Sequence, residues 1–106
     1  MIHALKTEPE FFDAVIHGDK TFEVRENDRD FRVGDYLALN ELDDTRTEYT
    51  GRSVLLYVSY VLKDERFCKS GYAVIGFKMC AVYELMSNTK GHEGAIVLGG
   101  ATRENS

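Results

Sequence analysis

The stretch GDKTFEVRENDRDF, which runs from Gly18 to Phe31, decides the interpretation of this chain. It opens with a glycine that ends a helical pattern, continues with strictly alternating side chains and closes in a charged loop. Because successive side chains of a strand point to opposite faces, the alternation predicts a strand. One face of this strand carries Lys20, Phe22 and Val24, and the other carries Thr21, Glu23 and Arg25.

The segment before this stretch predicts one short helix over residues 8–17. Its apolar side chains recur at helical spacing, which gives a single apolar face. We expect Thr7 to be the N-cap, Pro9 to sit in the first turn and Gly18 to end the helix, each at a position that its residue type favours. The apolar face consists of Phe11, Phe12, Val15 and Ile16.

The segments after it predict three further strands. A Gly34-Asp35 turn precedes a strand from Tyr36 to Leu42. Residues 53–62 are apolar on both faces, as in the central strand of a sheet or a closed barrel. Residues 72–85 alternate over a span that is long for a small domain, so we expect this strand to bend at Gly76.

This pattern predicts an α+β fold in the form of a small β-barrel, closed or partly open. We expect about five to six mostly antiparallel strands with one or two short helices. At 106 residues the chain fits one domain, which we place at residues 1–86. Residues 87–106 form a C-terminal tail, in which the apolar run Ala95 to Leu98 either adds a short strand or belongs to a mobile segment.

Composition limits the function classes. The net charge of −5 argues against a surface that tracks duplex DNA, so any nucleic-acid contact must be local. The two cysteines and three histidines show no metal-ligand spacing, and we expect neither a metal nor a cofactor. The N-terminus lacks the apolar run of a signal peptide, and no stretch is long enough for a membrane helix, so we expect a cytoplasmic protein with no membrane contact.

The Gly18–Phe31 stretch holds three cations, five acids, an amide and two phenylalanines. Glu23 and Arg25 either form an ordinary surface ion pair or face a ligand together. Recognition of cytosine would use such a set, because a carboxylate accepts from the exocyclic amino group and a cation such as Lys20 donates to the carbonyl oxygen. Nearby Phe or Tyr rings would stack on the base, and Arg25, Arg29 or Arg52 would hold a phosphate.

The string Gly18-x-Lys20-Thr21-x-Glu23-x-Arg25 resembles the pattern of ASCH domains, which are PUA-like barrels. The resemblance extends over roughly residues 3 to 85 and is closest to a small bacterial and phage subfamily. Further matching positions are His3, Leu5, Lys6, Pro9, Phe12, Asn27, Asp28, Arg29, Phe31, Gly34, Asp35, Leu37, Thr50, Gly51, Arg52, Gly71, Tyr72, Ile75 and Gly76.

This resemblance implies a PUA-like barrel with a cleft near the helix and residues 20–29, and RNA or nucleotide ligands. Some ASCH proteins hydrolyse the acetyl amide of N4-acetylcytidine with a lysine, a threonine three residues later and a distant glutamate. Lys20 falls at the lysine position, whereas Glu23 occupies the threonine position.

We therefore expect a domain that binds an RNA base, a nucleoside, a nucleotide or short single-stranded RNA. The alternatives are an amidohydrolase for N4-acylated cytidine, with Lys20 and Glu23 as catalytic residues, and a small phage-type protein that binds or inhibits a protein partner. The expected ligand-binding residues are His3, Lys20, Thr21, Glu23, Arg25, Asn27, Arg29 and Arg52.

Overall fold

The computed structural model of the protein describes residues 1–84. Within this range the chain forms five strands and one short helix. In chain order these are β1 (Ile2–Thr7), α1 (Pro9–Ile16), β2 (Phe22–Glu26), β3 (Tyr36–Leu42), β4 (Tyr49–Leu62) and β5 (Tyr72–Glu84). The predicted tail of residues 87–106 lies outside the described residues.

The five strands form one sheet in the order β1-β3-β4-β5-β2, which curls into a half-barrel. Strand β1 runs parallel to β3, and the other three neighbouring pairs are antiparallel. The predicted α+β fold, with a small barrel-like sheet of mostly antiparallel strands, is confirmed at this level. Strand β4, predicted to be central, is the third of the five and is longer than its apolar run, because it already begins at Tyr49.

The hydrophobic core fills the concave side of the sheet and is closed by the helix. Phe12 and Val15 of α1 are buried, as their helical spacing predicts. They belong to one cluster with residues of every strand except β2 and with one loop residue. The strand and loop members are Leu5, Phe31, Leu37, Leu39, Val54, Leu56, Val58, Ala73, Ile75 and Phe77.

The ends of the helix agree with the sequence at one side and differ at the other. Gly18 follows the last turn with a φ of 83°, a backbone conformation that glycine adopts without steric cost, and its amide donates to the Val15 carbonyl. At the start, however, the N-cap is Glu8, which makes no side-chain capping hydrogen bond. The predicted N-cap, Thr7, is instead the last residue of β1. The prediction failed because Thr7 still pairs with Glu41 of β3, and Pro9 at the first helical position leaves the extended Glu8 as the N-cap.

Strands β4 and β5 are long and are joined with two irregularities in register. The pairing skips Ser59, between Val58 and Tyr60, and Cys80, between Met79 and Ala81. Extra residues of this kind increase the local twist of a strand pair. The first irregularity lies beside Gly76, where a bend was predicted, and Gly76 pairs with Tyr60.

The two edge strands of the sheet, β1 and β2, face each other across the opening of the half-barrel. Two arginine side chains cross from the β2 side to β1. Arg25 Nη2 donates to the Lys6 carbonyl at 2.8 Å, and Arg29 Nη1 donates to the Ala4 carbonyl at 3.1 Å. We call this line of contact the seam. Guanidinium groups thus occupy hydrogen-bonding positions on an edge strand that a further strand would otherwise use.

Candidate functional site

Strand β2 turns Glu23 and Arg25 toward the side of the sheet that carries the core. Glu23 is only 5% exposed, whereas its apolar neighbours Phe22 and Val24 are 45% and 52% exposed. Glu23 pairs across the sheet with Ile75, which is fully buried. A carboxylate is rarely buried to this degree unless it is paired, so its partners define the site.

Both oxygens of the Glu23 carboxylate accept hydrogen bonds from cations. Lys20 Nζ donates to Oε2 at 2.9 Å, and Arg25 Nε donates to Oε1 at 3.1 Å. The side chains of Lys20 and Arg25 are 20% and 28% exposed, so the two cations reach water while the carboxylate does not. We refer to Lys20, Glu23 and Arg25 as the charged triad.

Aromatic rings lie on both sides of the lysine. The Lys20 Nζ atom is 5.6 Å from the ring centroid of Phe11 and 5.4 Å from that of Phe22. At these distances the ring faces attract the ammonium group. Phe11 comes from α1 and Phe22 from β2, so helix and strand together hold Lys20 in place.

A pocket of about 380 Å³ opens beside the charged triad, between the end of β1, the start of α1 and β2. This volume is at the lower end of the range of small-molecule sites, which span ~300–1,000 Å³. It combines cations, carboxylates and one aromatic ring. Its lining residues are Lys6, Thr7, Glu8, Phe11, Lys20, Glu23, Val24 and Arg25.

Of the residues predicted to bind a ligand, the structure brings Lys20, Glu23 and Arg25 together in this pocket. Thr21 is exposed at the start of β2 and is not among the lining residues. Arg29 braces the seam through the Ala4 carbonyl. These positions follow from the alternation along β2, which brings residues 23 and 25 to one face.

Asn27 and His3 have structural partners outside the pocket. The side-chain oxygen of Asn27 accepts from the Phe31 amide at 3.0 Å and so holds the loop after β2. His3 is 4% exposed, its Nε2 donates to the Asp35 carboxylate at 2.8 Å, and its ring packs edge-on against Phe31.

The Asp35 carboxylate, which accepts the hydrogen bond from His3, also accepts one from the Arg32 amide at 3.1 Å. Partial burial would raise the pKa of Asp35, but the hydrogen bonds from His3 and from the Arg32 amide outweigh burial and hold its pKa below the usual value. The predicted turn at Gly34-Asp35 therefore also anchors β1 to the start of β3.

Arg52 lies in a separate ionic cluster at the helix side of the sheet. Its Nε and Nη2 donate to the two oxygens of buried Glu41, both at 2.9 Å, and Nη2 also donates to Asp13 at 3.0 Å. The guanidinium stacks over the Phe12 ring at 5.0 Å. The Glu41 hydrogen bonds are the main cause of the raised pKa of Arg52, with Asp13 adding to it against burial. Arg52 does not line the pocket and fastens α1 to β3 and β4.

Sequence reasoning missed five residues of the pocket wall, which are Lys6, Thr7, Glu8, Phe11 and Val24. Thr7 is 4% exposed, and its hydroxyl has no hydrogen-bond partner within residues 1–84. No local signal distinguished it, because a threonine before a helix ordinarily predicts a cap. Phe11 was assigned to the apolar face of the helix, yet it is 44% exposed and lines the pocket.

Two negative findings apply to residues 1–84. In this part of the chain no three His, Cys, Asp or Glu side chains are grouped as metal ligands would be. Among the same residues, no helix has the length and apolar character needed to cross a membrane, since the single helix has eight residues.

The described fold and pocket coincide with a conserved-domain match. The family model described as a domain of unknown function, DUF3850, matches residues 2–77, which include all of β1 to β4 and the entire charged triad. The chain therefore belongs to this family. No curated protein matches it.

Proposed function

We propose that the domain binds a cytosine-type base, as a nucleoside, nucleotide or unit of single-stranded RNA, in the pocket beside the charged triad. The observation that carries this proposal is the buried Glu23 carboxylate at the pocket wall, held between the Lys20 ammonium and the Arg25 guanidinium. A carboxylate flanked by two donors offers an acceptor and donors within one small site.

The chemistry of cytosine is complementary to this arrangement. Its exocyclic amino group donates, and its ring nitrogen and carbonyl oxygen accept. Each oxygen of Glu23 already accepts one hydrogen bond and retains capacity for another, so the carboxylate is able to accept from the amino group. Lys20 and Arg25, which keep contact with solvent, would donate to the acceptor atoms of the base.

The size and rim of the pocket support a single base rather than a long nucleic-acid surface. The volume of about 380 Å³ suits one small ligand, and Phe11 supplies an exposed ring for stacking. The net charge of −5 disfavours binding to extended phosphate backbones, whereas the local cations Lys6 and Arg25 favour one phosphate near the pocket.

The proposal also includes a PUA-like fold of the ASCH type and a cytoplasmic location. The half-barrel with its helix at the opening is compatible with a PUA-like barrel of the ASCH type. Both described cysteines, Cys68 and Cys80, are free thiols, which is compatible with a reducing cytoplasm.

The test is isothermal titration of the full chain with cytidine monophosphate and, in parallel, with uridine monophosphate. Uracil presents a carbonyl where cytosine presents the amino group, so we expect the Glu23 carboxylate to disfavour it by roughly 10- to 100-fold, the value of one hydrogen bond to a charged group. Lys20→Met should weaken cytidine binding by a similar factor. Lys78→Met, on the exposed part of β5, is the matched control and should bind like the wild type. Equal affinity for the two nucleotides, or no loss in Lys20→Met, would reject the proposed site.

The same protein distinguishes binding from hydrolysis. Incubation with N4-acetylcytidine, followed by mass spectrometry, detects addition of water across the amide to give cytidine and acetate. The ion pair between Lys20 and Glu23 is the feature that favours this second candidate, because it places a proton donor and an acceptor at one wall of the pocket. Deacetylation by the wild type and not by Lys20→Met would make the domain an amidohydrolase. Retention of intact N4-acetylcytidine would keep it a binding domain.

A protein-binding role is favoured by an exposed apolar patch that adjoins the pocket at Val24. Phe22 and Tyr60 flank Gly76 in the sheet register and are 45% and 63% exposed, and Val24 beside them is 52% exposed. Exposed apolar side chains in one patch are typical of interaction surfaces. A partner bound there should be lost with Tyr60→Asp, remain with Lys20→Met and resist nuclease treatment. The opposite dependence would assign the partner to the pocket.

A further inference from the structure

Thr7 is one of the residues that line the pocket, and its hydroxyl is a buried polar group without a hydrogen-bond partner among residues 1–84. Thr7 is 4% exposed, and its Oγ1 is the one buried side-chain nitrogen or oxygen atom found without a hydrogen bond in the described part of the chain. Buried hydroxyls are nearly always hydrogen-bonded, because losing water without a replacement is unfavourable. The exception at this position therefore needs an explanation.

Strand placement fixes the position of this hydroxyl relative to the charged triad. Thr7 is the last residue of β1. The carbonyl oxygen of the preceding residue, Lys6, accepts a hydrogen bond from the Arg25 guanidinium at 2.8 Å. Arg25 in turn donates to Glu23 at 3.1 Å. Thr7 thus lies next to the point where the triad reaches across the seam, and it lines the same pocket as Lys20, Glu23 and Arg25.

We infer that Thr7 is a ligand-binding residue whose hydroxyl, together with the Arg25 guanidinium, forms a subsite for an acceptor oxygen of the ligand. This inference rests on the proposed function, in which the acceptor is the carbonyl oxygen of a pyrimidine base. The hydroxyl donates its proton to that oxygen. The arrangement divides recognition between two strands: Glu23 on β2 accepts from the amino group, and Thr7 on β1 donates to the carbonyl.

The charges around Thr7 explain why the ligand atom is an acceptor. Lys6, Lys20 and Arg25 all line the pocket, and each carries donors only. An oxygen drawn to these cations would also lie beside Thr7, which lines the same pocket. Glu8 and Glu23, the two carboxylates of the wall, are left for the donor groups of the ligand.

The decisive variant is Thr7→Val, which keeps the branched shape and the strand preference of threonine but removes the hydroxyl. Because that hydroxyl has no partner in the described part of the chain, Thr7→Val should raise the melting temperature by about 2–5 °C. It should at the same time weaken cytidine monophosphate binding by roughly 3- to 10-fold, the value of one neutral hydrogen bond. Thr7→Ser, which keeps a hydroxyl, should retain most of the binding.

Thr47→Val is the matched control, since Thr47 is exposed in the loop between β3 and β4. This variant should neither raise the melting temperature nor weaken the binding of cytidine monophosphate. A lower melting temperature in Thr7→Val would show that the hydroxyl has a partner within the protein, and that result overturns the inference.

The binding outcomes separate this inference from the proposed function. Wild-type affinity in Thr7→Val, with affinity lost in Lys20→Met, overturns the role of Thr7 and leaves the proposed site standing. Absence of cytidine monophosphate binding in the wild type rejects both. A higher melting temperature and weaker cytidine monophosphate binding in Thr7→Val, with most of the binding retained in Thr7→Ser, support the subsite.

Discussion

Replacement of Glu23 by glutamine is the sharpest test of how the site is held together. Glutamine keeps the size of the side chain and one acceptor oxygen but removes the charge that attracts Lys20 and Arg25. It also places an NH₂ group against one of these two cations, at a position where the carboxylate accepts a hydrogen bond at 2.9 or 3.1 Å. One charge-assisted hydrogen bond is lost, and the other becomes a hydrogen bond to a neutral group.

The expected decrease in the free energy of unfolding depends on which charged groups remain buried after the substitution. Breaking a fully buried ion pair costs ~3–5 kcal/mol because the remaining charge has no compensation. Lys20 and Arg25 are 20% and 28% exposed, so both cations regain water and this limit is not reached. The loss of one hydrogen bond to a charged group, ~1.5–3 kcal/mol, is the better guide, and we expect Glu23→Gln to lower the free energy of unfolding by about 2 kcal/mol.

The assay is urea denaturation followed by circular dichroism, with Glu26→Gln as the matched control. Glu26 lies on the same strand and is exposed, so its substitution should change the free energy of unfolding by less than ~0.5 kcal/mol. A double-mutant cycle between Glu23→Gln and Lys20→Met should give a coupling energy of about 1 kcal/mol or more. Equal stability of Glu23→Gln and Glu26→Gln, together with the absence of coupling, would show that the carboxylate does not hold the two cations. The proposed site would then be rejected.

Two further predictions concern ion pairs outside the pocket. Asp35→Asn should lower the free energy of unfolding by about 2 kcal/mol at pH 7, because His3 loses its charged partner. Since the pKa of Asp35 is lowered in the folded protein, the difference in urea midpoint from the wild type should shrink as pH falls below the unfolded value of about 3.9. A difference that grows below that pH would contradict the direction of the shift. Arg52→Lys cannot reproduce the two parallel hydrogen bonds to Glu41 and the third to Asp13, so we expect a loss of about 1–2 kcal/mol in the same assay, and an unchanged midpoint would show that a single ammonium suffices.

Local patterns predicted the helix and four of the five strands, β2 to β5, but they did not predict the pairing of strands that are distant in sequence. The helix followed from its apolar spacing and Gly18, and strand β3 from the turn at Gly34-Asp35, because each depends on neighbouring residues. The parallel pairing of β1 with β3 joins residues 34 positions apart, such as Ile2 and Tyr36, and no local signal specifies it.

The candidate site shows the same division. The density of charges around Glu23 and the alternation along β2 indicated that Glu23 and Arg25 share a face. Alternation alone would have buried the apolar face, with Phe22 and Val24, because burial of apolar surface is the usual rule. The carboxylate is buried instead because two cations satisfy it, and that depends on where Lys20 stands in three dimensions.

Arg52 was predicted to hold a phosphate of the ligand, because the sequence does not show which distant residues it contacts. Its position beside Thr50-Gly51 gave no indication that Asp13, 39 residues earlier, would be a partner. Once Glu41 and Asp13 engage the guanidinium, its position is explained by attachment of the helix to the sheet.

The strand order has a consequence for the chain while it is being synthesised. Among the five described strands, β2 pairs with β5 alone, and Tyr72 at the start of β5 lies 46 positions after Glu26 at the end of β2. At ~5–20 residues per second, roughly 2–10 s pass on the ribosome before β2 has a strand to join. During that interval the Glu23 side chain is hydrated and the two seam arginines have no formed opening to bridge. A ribosome-bound chain that ends before Tyr72 should therefore be cut readily by protease within β2, and the pocket forms only once β5 is available to pair with β2.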